Sequence, residues 1–238
     1  VLIFPPGQVV EPEPQPGGYK IDWNAARNGT LQPPPGAVAP PDVWGFPAKA
    51  VRMEFKVGSR YATVIRSDGS AYTLDLGTPC VVVGNPVGVE SLRKQYPNIY
   101  NSTNSIPLPG ADYGALYVPF IPVAEAFGVP KENIVWDGEH LAVFGYYGDV
   151  RNYRVLTPGA KESVCRVVGN SPEVASGSLD FPLFVKGGVP MVGINSVSDV
   201  ASMLFSTNGG YTPGLVDAHG GAGWDYETGT AIAEVPKN

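Results

Sequence analysis

Residues 116–144, LYVPFIPVAEAFGVPKENIVWDGEHLAVF, decide the fold. Leu116-Tyr117-Val118 is strand-like and runs into Pro119, whose fixed φ and missing N–H suit the first turn of a helix. Phe120, Val123, Ala124 and Phe127 recur at i, i+3, i+4 and i+7, which places one apolar stripe on a short helix. Gly128 occupies the position of a left-handed C-terminal cap, and Pro130 two residues later prevents continuation. Ile134 and Trp136 then alternate into Asp137-Gly138, and Leu141 and Val143 alternate out of it. That pattern predicts a β-hairpin, so the unit reads strand, helix, hairpin.

A second, worn copy begins near Phe181 as FPLFVKGGVPMVGINSVSDVASMLF and resumes at GWDYETGTAIAEV. Val192-Gly193-Ile194 corresponds to Val118-Pro119-Phe120. Ser196 and Asp199 resemble a capping box, and Ile194, Val197, Ala201 and Leu204 carry a helical stripe. Trp224-Asp225 corresponds to Trp136-Asp137, with a Gly-rich loop at 206–223 between the parts. Repetition of this kind implies similar units that share a core.

In the order of these parts, the sequence resembles the copper amine oxidase N-terminal-like domain, the stalk domain of secreted Gram-positive bacterial proteins. Val118-Pro119, Ala124-Glu125-Ala126, Gly128 and Trp136-Asp137-Gly138 carry the resemblance in the first copy. Leu179-Asp180-Phe181-Pro182, Val185-Lys186 and Gly187-Gly188 carry it in the second. It covers roughly residues 50 to 238, departs at Gly193, where the first copy has Pro119, and is interrupted by an insertion at about 86–114. The resemblance implies an accessory stalk module rather than a catalytic domain.

Length and composition set bounds. The 238 residues suffice for one large or two small domains. Gly (30) and Pro (25) make up nearly a quarter of the chain while 43% is hydrophobic, a mixture that predicts loop-rich β structure rather than disorder. The formal charge of −6 argues against a nucleic-acid binder, which needs a basic stripe. With no run of 18 apolar residues, no membrane-spanning helix is expected. The sequence starts at Val1 without Met, as expected of a mature form whose targeting peptide has been removed or of a trimmed chain. Cys80 and Cys165 allow one disulfide in an oxidising compartment or two buried free thiols.

Residues 1–48 contain eleven of the prolines and predict an extended, polyproline-like arm that cannot form its own core. Apolar islands punctuate it, among them Val1-Leu2-Ile3-Phe4 and Val9-Val10. These are short enough to add as a strand to a sheet edge, with a neighbouring subunit the expected recipient. From Val51 an antiparallel meander is predicted: Val51, Met53, Phe55 and Val57, then Tyr61, Thr63 and Ile65, then Tyr72, Leu74 and Leu76. A strand at Cys80–Val83 follows. In the insertion Val89, Leu92 and Tyr96 suggest a helix ending at Pro97, followed by a polar loop. A second meander opens with 153–156 and 163–168, and the chain closes on a strand at 230–235.

Chemistry-bearing patterns are sparse. A copper amine oxidase centre needs three His ligands and a quinone from an Asn-Tyr-Asp/Glu motif. This chain holds only His140 and His219, and its one Asn-Tyr, Asn152-Tyr153, continues with Arg154. His-Glu-x-x-His, P-loop and Gly-x-Ser-x-Gly patterns do not occur. The carboxylate pairs Asp137/Glu139 and Asp225/Glu227 fall in equivalent hairpin turns and read as solubilising turn residues. Trp136 and Trp224 read as core pieces, or as platforms for a glycan. Asn28 and Asn101 fit the glycosylation acceptor pattern.

The expectation is therefore an α+β protein of two similar antiparallel-sheet units, each with one short helix, preceded by an extended Pro-rich arm. Its bounds are 1–48 for the arm, 49–150 for the first unit and 151–238 for the second. The expected role is a secreted, non-enzymatic structural subunit at the cell surface, without cofactor, polymerising with copies of itself through Val1–Phe4, Val9 and Val10. The alternative is a module binding cell-wall glycan.

Overall fold

A computed structural model describes residues 18–41, 46–111, 114–145, 148–179, 182–194 and 221–234, without the side chains of 221 and 222. Three five-stranded sheets dominate it, and its α-helices are short. The assembly segment Val1–Phe4, Val9 and Val10 lies outside the described residues, as do His219 and all of the second predicted helix except Ile194.

The first sheet is built on the predicted meander: β1 (Ala50–Lys56), β2 (Tyr61–Arg66) and β3 (Ala71–Asp75). Its other two strands come from the far end of the chain, β14 (Gly221–Asp225) and β15 (Thr230–Glu234). Strand β15 pairs antiparallel with β1, placing Met53 opposite Ala233, so the order is β14-β15-β1-β2-β3. One expectation is corrected here. In β2 the buried residues are Ala62 and Val64, whereas Tyr61 is exposed. Pairing of Met53 with Val64 sets this register, and in a strand of period two the whole apolar assignment follows the pairing.

The second sheet takes the predicted hairpin, β7 (Ile134–Trp136) and β8 (Leu141–Phe144), and continues it with β9 (Tyr153–Leu156), β10 (Glu162–Arg166) and β11 (Val174–Ser178). The third sheet has the order β12-β13-β6-β4-β5, with β4 (Val81–Gly84), β5 (Ser105–Pro107), β6 (Ala115–Pro119), β12 (Phe184–Lys186) and β13 (Val189–Gly193). Strands β6 and β13, which carry the matching Val118-Pro119 and Val192-Gly193, are antiparallel neighbours, with Val192 opposite Val118.

The insertion is more regular than a helix and a polar loop. Helix α2 (Pro86–Gln95) has Pro at its start and Asn85 as N-cap, its Oδ1 accepting the Gly88 N–H at 2.7 Å. It crosses over to β5, which pairs parallel with β4, and Arg93 holds β5 through the hydroxyl and carbonyl of Ser105. Helix α3 (Phe120–Phe127) buries its whole predicted stripe, and Gly128 ends it at φ 125°. The main core runs from Phe46 to Ala233 and mixes residues of both halves, including Phe55, Leu116, Phe127, Leu156, Leu183 and Val192.

Residues 18–41 are not a free extended arm. Helix α1 (Trp23–Arg27) is capped by Asp22, whose Oδ1 accepts the N–H groups of Asn24 and Ala25. Ile21, Ala26 and Leu31 join Val135, Ala142, Phe144, Tyr153, Val155 and Val164 in a second apolar cluster on the second sheet. The physical reason is local. No proline occurs between Gly17 and Gln32, so this stretch can turn and cover an apolar sheet face.

Candidate functional site

Two features stand out, an anchored N-terminal strap and an apolar groove. The strap is fixed at both ends. Near its start, the Asp137 carboxylate in the β7–β8 turn accepts the Ile21 N–H at 2.8 Å, and Lys20 donates to the Asp137 carbonyl at 2.8 Å. The same carboxylate accepts the Glu139 and His140 N–H groups. Burial pushes this acid's pKa up, but the three N–H donors, with Lys20 nearby, outweigh burial and hold it below the ordinary carboxylate value. Near the strap's far end, fully buried Asn133 accepts the Val38 N–H and donates to the carbonyls of Val38 and Phe144. Between these points Tyr153 donates to the Ala26 carbonyl, and Arg27 pairs with Glu162 at 2.5 Å. Trp23 stacks on His140 with ring centroids 5.3 Å apart and planes within 8°.

The groove follows from a sequence feature. Val81-Val82-Val83 and Ala115-Leu116-Tyr117-Val118 are apolar without alternation, the signature of strands covered on both faces. Val82, Leu116, Val118 and Val192 enter the main core, while Val81, Val83, Ala115, Tyr117 and Met191 form a separate cluster on the opposite face. Leu108 and Phe184 pack against that cluster. A groove of about 460 Å³ opens here, bordered by Val83, Leu108, Tyr117, Phe184 and the turn carrying Pro158 and Lys161. Pro182, Leu183, Phe184 and Val185 all line it. Val83, Tyr117 and Phe184 stand on β4, β6 and β12, so the groove lies over this face of the third sheet, and Leu183 beside β12 is bridged to Pro158 of the bordering turn. Tyr117 donates to the Pro182 carbonyl at 3.0 Å, and burial pushes its pKa up to about 12. The lining is mostly apolar, with Lys161 the charged residue among it.

The remaining residues singled out from sequence occupy structural positions. Cys80 and Cys165 are both free, so the Cys80–Cys165 disulfide is not formed. Cys80 is buried in the main core, and Cys165 lies on β10 of the second sheet. Asp225 caps its turn, accepting from the Glu227 N–H and the Thr228 hydroxyl. His140 is within 3.0 Å of the Thr157 hydroxyl through Nδ1. Trp136 is buried and donates to the Gly188 carbonyl at 2.8 Å. Trp224 meets Tyr100 and Tyr226 edge to face. Asn28 and Asn101 are exposed, and the Asn101 Oδ1 accepts from the Thr103 N–H and hydroxyl. Among the described residues no three His, Cys, Asp or Glu side chains gather where they could hold a metal ion, and no helix is long and apolar enough to cross a membrane.

No family model and no solved structure matches the chain. A curated protein, the lipid-A-disaccharide synthase of Aromatoleum aromaticum (strain DSM 19018 / LMG 30748 / EbN1), is 30% identical over 104 residues. The similarity covers 40% of this chain and 27% of that protein.

Proposed function

We propose that this protein is a secreted, non-catalytic structural subunit that assembles into an extracellular filament or cell-surface polymer through residues 1–17. The observation that carries this reading is the fixed root of that segment. Lys20 and Ile21 are held on the Asp137 turn, and the strap behind them is packed on the second sheet. An apolar tip, VLIF, on a Pro-rich spacer rooted in a sheet can transmit load from one copy to the next. Head-to-tail contact of that kind yields fibres where its rotation does not close into a ring.

Also part of the proposal is the two-unit reading, with its resemblance to the stalk module. In its support, each outer sheet joins a three-stranded meander to a two-stranded hairpin: β1-β2-β3 to β14-β15, and β9-β10-β11 to β7-β8. Glycan binding has less support. Trp136 lies in the core, and the rings around Trp224 meet at 74° and 84°, edges against faces that a sugar would need. The partial similarity to a synthase brings no activity with it, since it spans 27% of that protein.

Negative-stain microscopy beside size-exclusion chromatography tests the proposal. Regular fibres that disappear on deletion of residues 1–16 are the expected result. A monomer at all concentrations, unchanged by the deletion, overturns it.

A further inference from the structure

We propose that the groove over the third sheet binds a single-chain aliphatic carboxylate, its chain on the groove floor and its carboxylate at Lys161. This site is independent of the polymer reading. Val83 and Tyr117 form a buried floor, and Leu108, Ala111 and Phe184 make half-buried walls. Gly110, Gly159 and Lys161 stand exposed at the mouth. Small-molecule sites commonly have this form, in which a few polar groups orient a mostly apolar ligand.

The groove is pre-formed, because main-chain hydrogen bonds hold its borders. The Leu108 N–H donates to the Gly84 carbonyl at 2.8 Å and ties the 108–111 loop to the end of β4. On the other side, the Gly159 N–H donates to the Leu183 carbonyl at 2.9 Å and ties the 157–161 turn beside β12. The Lys161 carbonyl accepts the Leu179 N–H at 2.7 Å, so the root of this side chain is fixed at the mouth. A Cβ added at Gly110 or Gly159 would meet no atom within 4 Å, so the mouth is open.

The lining also selects the ligand. The rings of Tyr117 and Phe184 meet edge to face, with centroids 6.0 Å apart and planes at 75°, so they form no flat slot for an aromatic plate. A flexible alkyl chain can follow such walls and cover the parts of Leu108 and Phe184 that water reaches. A cavity of about 150 Å³ takes a benzene ring, so about 460 Å³ takes a ten-carbon chain with room to spare. Tyr117 donates its proton to the Pro182 carbonyl, which leaves the floor without charge. The charge in the lining is that of Lys161, and it favours an anion. An ammonium carries three donors, so Lys161 can keep an acceptor within the chain and still meet a carboxylate.

Decanoate is the probe, titrated calorimetrically into the full-length chain below its micellar concentration. Saturable binding is expected, with nuclear Overhauser contacts from the chain methylenes to the methyl groups of Val83 and Leu108. No binding, or contacts elsewhere, overturns the site. Lys161→Gln is expected to weaken decanoate roughly threefold to fivefold, the scale of an exposed ion pair, and to leave decanol unaffected. Equal loss for both ligands, or decyltrimethylammonium binding as tightly as decanoate, overturns the role of Lys161. Leu108→Asp is expected to weaken decanoate and decanol alike at least tenfold, and Ala111→Trp repeats this arm should Leu108→Asp unfold. Unchanged binding in a folded variant overturns the groove. Phosphatidylglycerol vesicles are expected not to retain the protein. Retention on vesicles without decanoate binding would make the ligand a bilayer surface and overturn the single-chain choice.

Discussion

The Asp137 carboxylate accepts the main-chain N–H of Ile21, 116 residues upstream, at 2.8 Å. One hairpin turn thereby fixes the point at which the N-terminal segment leaves the body of the protein. The Asp of an Asp-Gly turn ordinarily serves its own turn, and this one does so through the Glu139 and His140 N–H groups while also receiving a distant segment of the chain.

Asp137→Ala is expected to lower the unfolding free energy by about 2 kcal/mol, the scale for hydrogen bonds to a charged acceptor. Urea denaturation measures the loss. Hydrogen exchange of the Ile21 amide is expected to speed up more than that of amides in the main core. The pH dependence has a definite sign. The folded pKa lies below the unfolded value near 3.9, so the carboxylate's stabilisation is complete above that unfolded value. It is lost as pH falls through the lower, folded value, and Asp137→Ala should flatten the acid limb of stability against pH. An unchanged acid limb contradicts the assignment.

Gly128→Ala is expected to destabilise by more than the ~1 kcal/mol of a simple glycine replacement. The residue is held at φ 125°, where an L side chain is strained, and a Cβ there would lie 2.7 Å from the Pro47 carbonyl oxygen. That oxygen belongs to the backbone and cannot swing aside as a flexible side chain could, since the Lys49 N–H next to it binds the Phe127 carbonyl. A fall in the thermal midpoint checks this, and a neutral result would show that the 46–49 segment can move.

Helix α3 and the β7–β8 hairpin were legible because each was encoded by close neighbours: a 3.6-residue stripe, Gly128, and Asp137-Gly138 between alternating residues. Where pairing is distant, local sequence misleads. Tyr61, Thr63 and Ile65 alternate as cleanly as a buried face, yet the register with β1 buries Ala62 and Val64. Strand β5 looks polar in isolation and exists through parallel pairing with β4 after a crossover helix. Averaged over residues 1–48 the prolines point to an extended arm, although 18–31 has none and packs on the second sheet. The groove had a signal in the unbroken apolar runs 81–83 and 115–118, since burial on both faces requires material on the far side.

Both cysteines are expected to titrate as free thiols after unfolding without reductant, and gel mobility should not depend on reductant. Burial pushes the thiol of Cys80 up to about 12 and that of Cys165 to about 11, so little thiolate exists near neutrality. Alkylation of folded protein at pH 8 is therefore expected to be at least tenfold slower than of unfolded protein. Rapid labelling of Cys80 in folded protein contradicts its burial.

Asn133 gives the most demanding prediction because every polar atom of its side chain has a main-chain partner. Its Oδ1 accepts from the Val38 N–H at 2.9 Å, and its Nδ2 donates to the carbonyls of Val38 at 2.8 Å and Phe144 at 3.0 Å. With the side chain fully buried, Asn133→Ala leaves those groups without this partner, the Phe144 carbonyl at a buried position. About 2–4 kcal/mol of destabilisation is expected, on the scale of about 1–3 kcal/mol for an unsatisfied buried group. Asn133→Asp retains the acceptor but places two carbonyls against a carboxylate, so it should do no better. The strap supplies the second readout. Asn133 holds its far end and Asp137 its near end, at the two termini of the same short strand, β7. If the strap is one cooperative unit, the double substitution costs less than the sum of the singles, because either alone already loosens it. Strict additivity would mean that the two ends of the strap open independently.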